Sequence, residues 1–225
     1  MFTSGSPDQV ADRLTRLVEP YAEIDARRDT WMPRGFLAPE ESTLEESQQL
    51  LASDHCQELI NWWLARPRGA TKPNWDIAST AMVGGQKGII LVEAKAHHAE
   101  LSDAGKSPGG NPSNADRIRA AICQANAGLG GAQAGWNLTT DSHYQLCNRF
   151  AWSWKIASLE VPVILVYLGF LNAMEMRQPF RSAIEWSNVI RGHAEGIVRN
   201  DAWDRPIDIN GTQMRAIIQA VDPYN

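Results

Sequence analysis

The chain has 225 residues, 44% of them hydrophobic and 21% charged, which is the composition of an ordinary globular protein with room for one sizeable core. No apolar run reaches the roughly 18 residues of a membrane span, so no membrane partner is expected. The N-terminus, MFTSGSPDQVADR, lacks the basic segment and apolar stretch of a secretory leader. The net charge of −5 argues against a blanket nucleic-acid coat, but its distribution is uneven. Residues 1–65 carry 5 Lys and Arg against 12 Asp and Glu, residues 66–155 carry 10 against 6, and residues 156–225 carry 6 against 8. A basic middle segment lies between two acidic ones. The three cysteines (Cys56, Cys123 and Cys147) are odd in number and far apart. They speak against a disulfide framework or a Cys-based zinc site and for a reducing compartment, the cytoplasm.

In chain order, residues 8–28 read as an amphipathic helix, with Val10, Leu14, Leu17, Val18 and Tyr21 at helical spacing. TWMPRGFLAPEE is a linker. A helical region follows from Ser42 to Ala65, with a break near Ser53-Asp54, and RPRGATKPN ends it. WDIASTAMV and GIILVEAKA are strands joined by GGQK, a hairpin. SDAGKSPGGNPSN is a polar, mobile loop. Residues 115–127 are helical, and GLGGAQAGWN is a second flexible loop. DSHYQLCNRFAWSWKIASLE is a strong helix with Asp141 as its cap. VPVILVYLGFL is nearly continuous in apolar residues and therefore a central strand. Helices over 180–194 and 212–221 complete the chain. This order predicts one α/β domain over 1–225: a short mixed sheet with helices on both faces, its core at 42–171. Helical extensions would occupy 1–41 and 172–225.

The most hydrophobic stretch before residue 100, Ile89-Ile90-Leu91-Val92, ends in Glu93-Ala94-Lys95. A carboxylate and an ammonium are costly at the end of a buried strand unless paired or bound to something. Residues two apart in a strand share a face, so Glu93 and Lys95 point the same way. With GGQK as a four-residue turn, or a two-residue turn at Gly85-Gln86, Asp76 falls opposite Lys95 on that face. Two carboxylates and an ammonium at one sheet edge form a chemical device. The acids are hard oxygen ligands for Mg²⁺ or Mn²⁺. The ion withdraws charge from a phosphate, and the ammonium neutralises charge or orients a water. The bland alternative is a surface Glu–Lys pair.

PNWD, a hairpin and then ILVEAK, with a helix before them and HYQLCNRF and a buried strand after, resembles the PD-(D/E)xK nuclease superfamily. The resemblance spans roughly residues 42–171, with Pro73 three residues before the aspartate rather than adjacent to it. It implies a restriction endonuclease-like core and a nuclease that hydrolyses phosphodiester bonds with Mg²⁺ or Mn²⁺, DNA being the preferred substrate. Asp76, Glu93 and the Ala94 carbonyl would bind the metal, and Lys95 would be the catalytic lysine. An acidic residue from the preceding helix would join them. The candidates are Glu58, Glu46 and Glu45, with Glu58 nearest to Asp76 in sequence. From the helix after the sheet, Gln145, Arg149, Trp152 and Ile156 form one stripe, and Gln145 would orient water or phosphate. His97 and Trp75 are minor candidates. Gly105-Lys106-Ser107 is not a phosphate-binding loop, because Glu100 stands where the first glycine belongs and no helix follows directly. Two further readings remain: a non-catalytic nucleic-acid-binding or assembly module, and a hydrolase of a small phosphorylated substrate. A homo-oligomer is possible on any of them.

Overall fold

The computed structural model describes residues 2–35, 43–44, 49–68, 70, 72–107, 110–132 and 134–222. Helix α1 (Pro7–Val18) is shorter than the sequence pattern predicts. Its Ser6 cap accepts from the Gln9 N–H in a capping box, and Pro20, which has no N–H to donate, ends it. Chain then crosses the sheet edge as β1 (Ala22–Glu23) and β2 (Trp31–Met32), both antiparallel to β3 (Ile77–Val83). Within the expected helical region at 42–65, the described residues form a helix only at α2 (Ser53–Trp63).

The predicted hairpin is β3 and β4 (Gln86–Lys95). Its turn is Gly84-Gly85, with φ of 57° and 83°. Left-handed backbone at both central residues suits a two-residue turn and favours glycine there. After β4 come α3 (Pro112–Ala132) and α4 (Tyr144–Ala157), which lead to β5 (Val163–Phe170), parallel to β4. Helix α3 runs through Gly128 into the stretch expected to be a loop. A Cβ on Gly128 would stand 2.4 Å from the Trp154 ring, so glycine there allows α3 to approach α4 closely. The loop before α3 is anchored where it is described: Lys106 donates its N–H to Thr140 O at 2.7 Å. Asp141 does not cap α4; the cap position is His143.

Helix α5 (Ala183–His193) leads to β6 (Ile207–Ile209) and β7 (Thr212–Val221). The helix expected at 212–221 is thus a strand, parallel to β5 and antiparallel to β6. Met214, Ile217, Ile218 and Val221 also satisfy helical spacing, but β7 lies between two strands, and apolar residues on both faces suit that position. The sheet order is β1-β3-β4-β5-β7-β6, with β2 beside β3. The architecture is therefore α/β with a mixed sheet, and both terminal segments add strands to it. One face packs against α1 through Ile90, Val92, Ile164, Val166 and Leu168. The other packs against α2 to α5 through Ile89, Leu91, Val163, Leu165 and Tyr167. No helix among the described residues is long and apolar enough to cross a membrane.

Candidate active site

The site begins with the period of β4. Ile89 and Leu91 face the layer of α2 to α5, so Glu93 and Lys95 continue on that face. The β3–β4 ladder pairs Val83 with Gln86 and Ile77 with Val92. Asp76 lies just before the first paired residue of β3, in a bend, so it does not stand opposite Lys95 as a ladder partner. The turn lies one residue earlier than Gly85-Gln86, which shifts the register by two, and a shift of two leaves every side chain on its face. Asp76 is half-buried, and its Oδ2 accepts the Ala94 N–H at 2.7 Å.

Glu93 is 1% exposed. A carboxylate this buried needs compensation, and three side chains supply it. Lys95 Nζ binds Oε1, Gln145 Nε2 donates to Oε1 at 2.6 Å, and Arg149 Nε donates to Oε2 at 2.5 Å. Gln145 and Arg149 are one turn apart on α4, which lies across this end of the sheet. The Arg149 guanidinium also stacks over the Trp75 ring, 4.6 Å from its centroid, and donates to Asn148 Oδ1 at 3.0 Å. Asp76 and Glu93 balance Lys95 and Arg149 in formal charge.

These groups open onto a cleft of about 940 Å³ that is lined by Asp76, Glu93, Ala94, Lys95, Gln145 and Arg149. Arg66, Arg68, Lys72 and Lys106 also line it. Tyr144, at the start of α4, lies in the same cleft, and burial pushes its hydroxyl up to about 12, so it stays an O–H donor at neutral pH. Asp76 and Glu93 line the same cleft, and carboxylate oxygens are the donor type that a hard divalent cation takes.

The structure brings Asp76, Glu93, Ala94, Lys95 and Gln145 together but leaves Glu58 outside the cleft. Helix α2 buries Cys56, Leu59 and Trp63; Glu58 lies between them on the exposed side and pairs with Lys155 at 2.5 Å. Glu46 and Glu45 lie outside the described residues. Trp75 is fully buried beneath Arg149. His97 bridges to Pro179, and its Nε2 stands 3.9 Å from Glu100. Arg149, Tyr144 and the basic rim are not part of the sequence motif. Spacing held a signal for Arg149, four residues after Gln145, and the positive balance of residues 66–155 held one for the rim. No protein-family model, curated protein or solved structure matches the chain.

Proposed function

We propose that this protein is a metal-dependent nuclease of the PD-(D/E)xK type, hydrolysing phosphodiester bonds with DNA as the preferred substrate. The observation that carries the reading is the convergence of Asp76, Glu93, Lys95 and Gln145 on one cleft rimmed by Arg66, Arg68, Lys72 and Lys106. In this reading Asp76, Glu93 and the Ala94 carbonyl hold Mg²⁺ or Mn²⁺. When bound, the ion supplies Lewis-acid stabilisation of charge on the phosphate. Lys95, as an ammonium, donates from Nζ to the attacking water or to a non-bridging oxygen. The Gln145 amide orients the same water or phosphate. Arg149 keeps the Glu93 carboxylate in one orientation from behind, and the rim cations bind neighbouring phosphates along the polymer.

A second reading, a nucleic-acid-binding module without hydrolysis, is favoured by one observation: both Glu93 oxygens already have cationic or amide donors, so the cluster is satisfied without an ion. Incubation with single- and double-stranded DNA and RNA, in Mg²⁺, Mn²⁺ or EDTA, separates the two. The nuclease reading expects cleavage of DNA in the presence of metal and none in EDTA. Binding that weakens steeply with salt, without cleavage in any metal, would replace it with the second reading. Binding of short phosphorylated compounds with little dependence on salt would instead indicate a small substrate.

A further inference from the structure

Asp103, His143 and His193 come from three separate segments: the loop after β4, the cap position of α4, and the last residue of α5. Their candidate ligand atoms all lie within 4.8 Å of one another. Asp103 Oδ1 stands 3.0 Å from His143 Nε2 and 3.1 Å from His193 Nδ1. The imidazole centroids are 4.8 Å apart with planes inclined by 53°. Both rings are largely buried, whereas Asp103 is exposed.

The backbone at His143 is unusual. A helix cap ordinarily has an extended backbone and a short polar side chain that bonds to the first turn. His143 instead has φ 48° and ψ 37°, and its ring makes no capping bond. Left-handed backbone costs free energy at any residue other than glycine and persists where the surroundings enforce it. Here the ring is directed to Asp103. The two segments are held in register by backbone bonds, from the His143 N–H to Asp103 O and from the Tyr144 N–H to Ala104 O, each 3.0 Å. Asp103 and His143 are thus positioned by backbone bonds that do not depend on their side chains, and His193 is carried as the last residue of α5.

We propose that Asp103, His143 and His193 bind a borderline divalent transition-metal ion of the Zn²⁺ class. Two imidazole nitrogens and one carboxylate oxygen form a ligand set suited to such an ion and poorly suited to Mg²⁺, which prefers oxygen alone. The exposed side at Asp103 leaves a fourth position open to water. Bound there, the ion would tie the loop after β4 to the start of α4 and the end of α5. Gln145 and Arg149 lie two and six residues beyond His143, so the ion would also hold the helix end that feeds the cleft. The inference stands whether or not the cleft hydrolyses nucleic acid.

The test is Zn²⁺ titration of protein stripped with EDTA and dialysed, by calorimetry and by competition with a chromophoric chelator. Four proteins are compared: the unaltered chain, Asp103→Ala, His193→Gln and Asp76→Asn. The expected result is one equivalent of Zn²⁺ that excess Mg²⁺ does not displace, with affinity unchanged in Asp76→Asn. In Asp103→Ala and His193→Gln the affinity should fall by more than the roughly 10–100-fold that loss of an outer partner costs. Zn²⁺ should also raise the melting temperature of the unaltered protein and not that of Asp103→Ala, whose exposed side chain makes a folding defect a minor concern. Absence of Zn²⁺ uptake, equal affinity in Asp103→Ala and the unaltered chain, or loss in Asp76→Asn alone would each overturn the proposal.

Discussion

Neutralising the two acids of the proposed metal site should cost very different amounts of stability. Glu93→Gln keeps the shape of the side chain, so it leaves no cavity, but removes the carboxylate that pairs with both Lys95 and Arg149. The side chains of Lys95, Arg149 and Glu93 are 8%, 7% and 2% exposed, so water offers the stranded cations little relief. Removing one partner of a buried ion pair costs about 3–5 kcal/mol. The cleft beside Lys95 favours the lower end, about 3 kcal/mol. For a chain of this size, each kcal/mol lowers Tm by about 2–4 °C, which gives a fall of roughly 6–12 °C. Asp76 is half-buried, and an asparagine Oδ1 can still accept the Ala94 N–H. Asp76→Asn should therefore cost less than about 1 kcal/mol. Both variants should lose Mn²⁺ binding in calorimetry and lose DNA cleavage. Thermal and urea unfolding at pH 7 in EDTA would give the stabilities. If Glu93→Gln melts within about 2 °C of the unaltered protein, Glu93 does not compensate two buried cations and the argument from burial fails. If either variant binds Mn²⁺ undiminished, the ion is not held where we place it.

Three further outcomes follow from the same contacts. Lys95→Ala should keep most of the Mn²⁺ affinity, because an ammonium offers no lone pair and competes with the ion for Glu93. It should lose cleavage by roughly 10²–10³-fold in a gel assay. Tyr167 is fully buried beside Glu93; burial, together with that carboxylate, holds its hydroxyl pKa well above the ordinary value, and the hydroxyl has no hydrogen-bond partner among the described residues. Tyr167→Phe should therefore leave urea stability unchanged or raise it by up to about 1 kcal/mol; a loss above that would reveal a partner such as an ordered water. Burial, with His143 and Lys95 nearby, lowers the His193 pKa against the opposing pull of Asp103. Above about pH 6.5 the imidazole is neutral in both folded and unfolded chains. Below it the unfolded chain takes up the proton first, so stability falls as pH falls, until the folded pKa is passed. In EDTA, the loss of Tm between pH 7 and pH 5.5 should be smaller in His193→Gln than in the unaltered protein, and an equal loss would rule out this titration.

Much of the site's frame was legible in the sequence because strand geometry repeats every two residues. The apolar run before Glu93 marked a buried strand, and the spacing of Glu93 and Lys95 put both on one face. The β3–β4 ladder lies two residues from the register that the turn suggests, and a shift of two changes the opposite partner but not the face. The near-continuous apolar stretch at 163–170 likewise placed β5 inside the sheet. The C-terminal strand has the spacing of a helix, although Asn210-Gly211 before Thr212 is a strong hairpin signal. Met214, Ile217, Ile218 and Val221 fit a helix and a doubly buried strand equally, and only the space between β5 and β6 decides between them.

Contacts between distant segments were decided by tertiary structure alone. Glu58 and Gln145 are both polar residues beside apolar helix positions, yet one pairs with Lys155 in solvent and the other reaches Glu93. The difference lies in where α2 and α4 pack relative to the open end of β4, which no local pattern encodes. Asp103, His143 and His193 are likewise far apart in sequence, and their meeting depends on loop pairing and on the direction of α5. Local periodicity determines which face a side chain occupies, because it is set by backbone geometry over a few residues. What that face meets depends on packing free energy summed over the whole chain, and in this protein that sum joins Arg149 to Glu93.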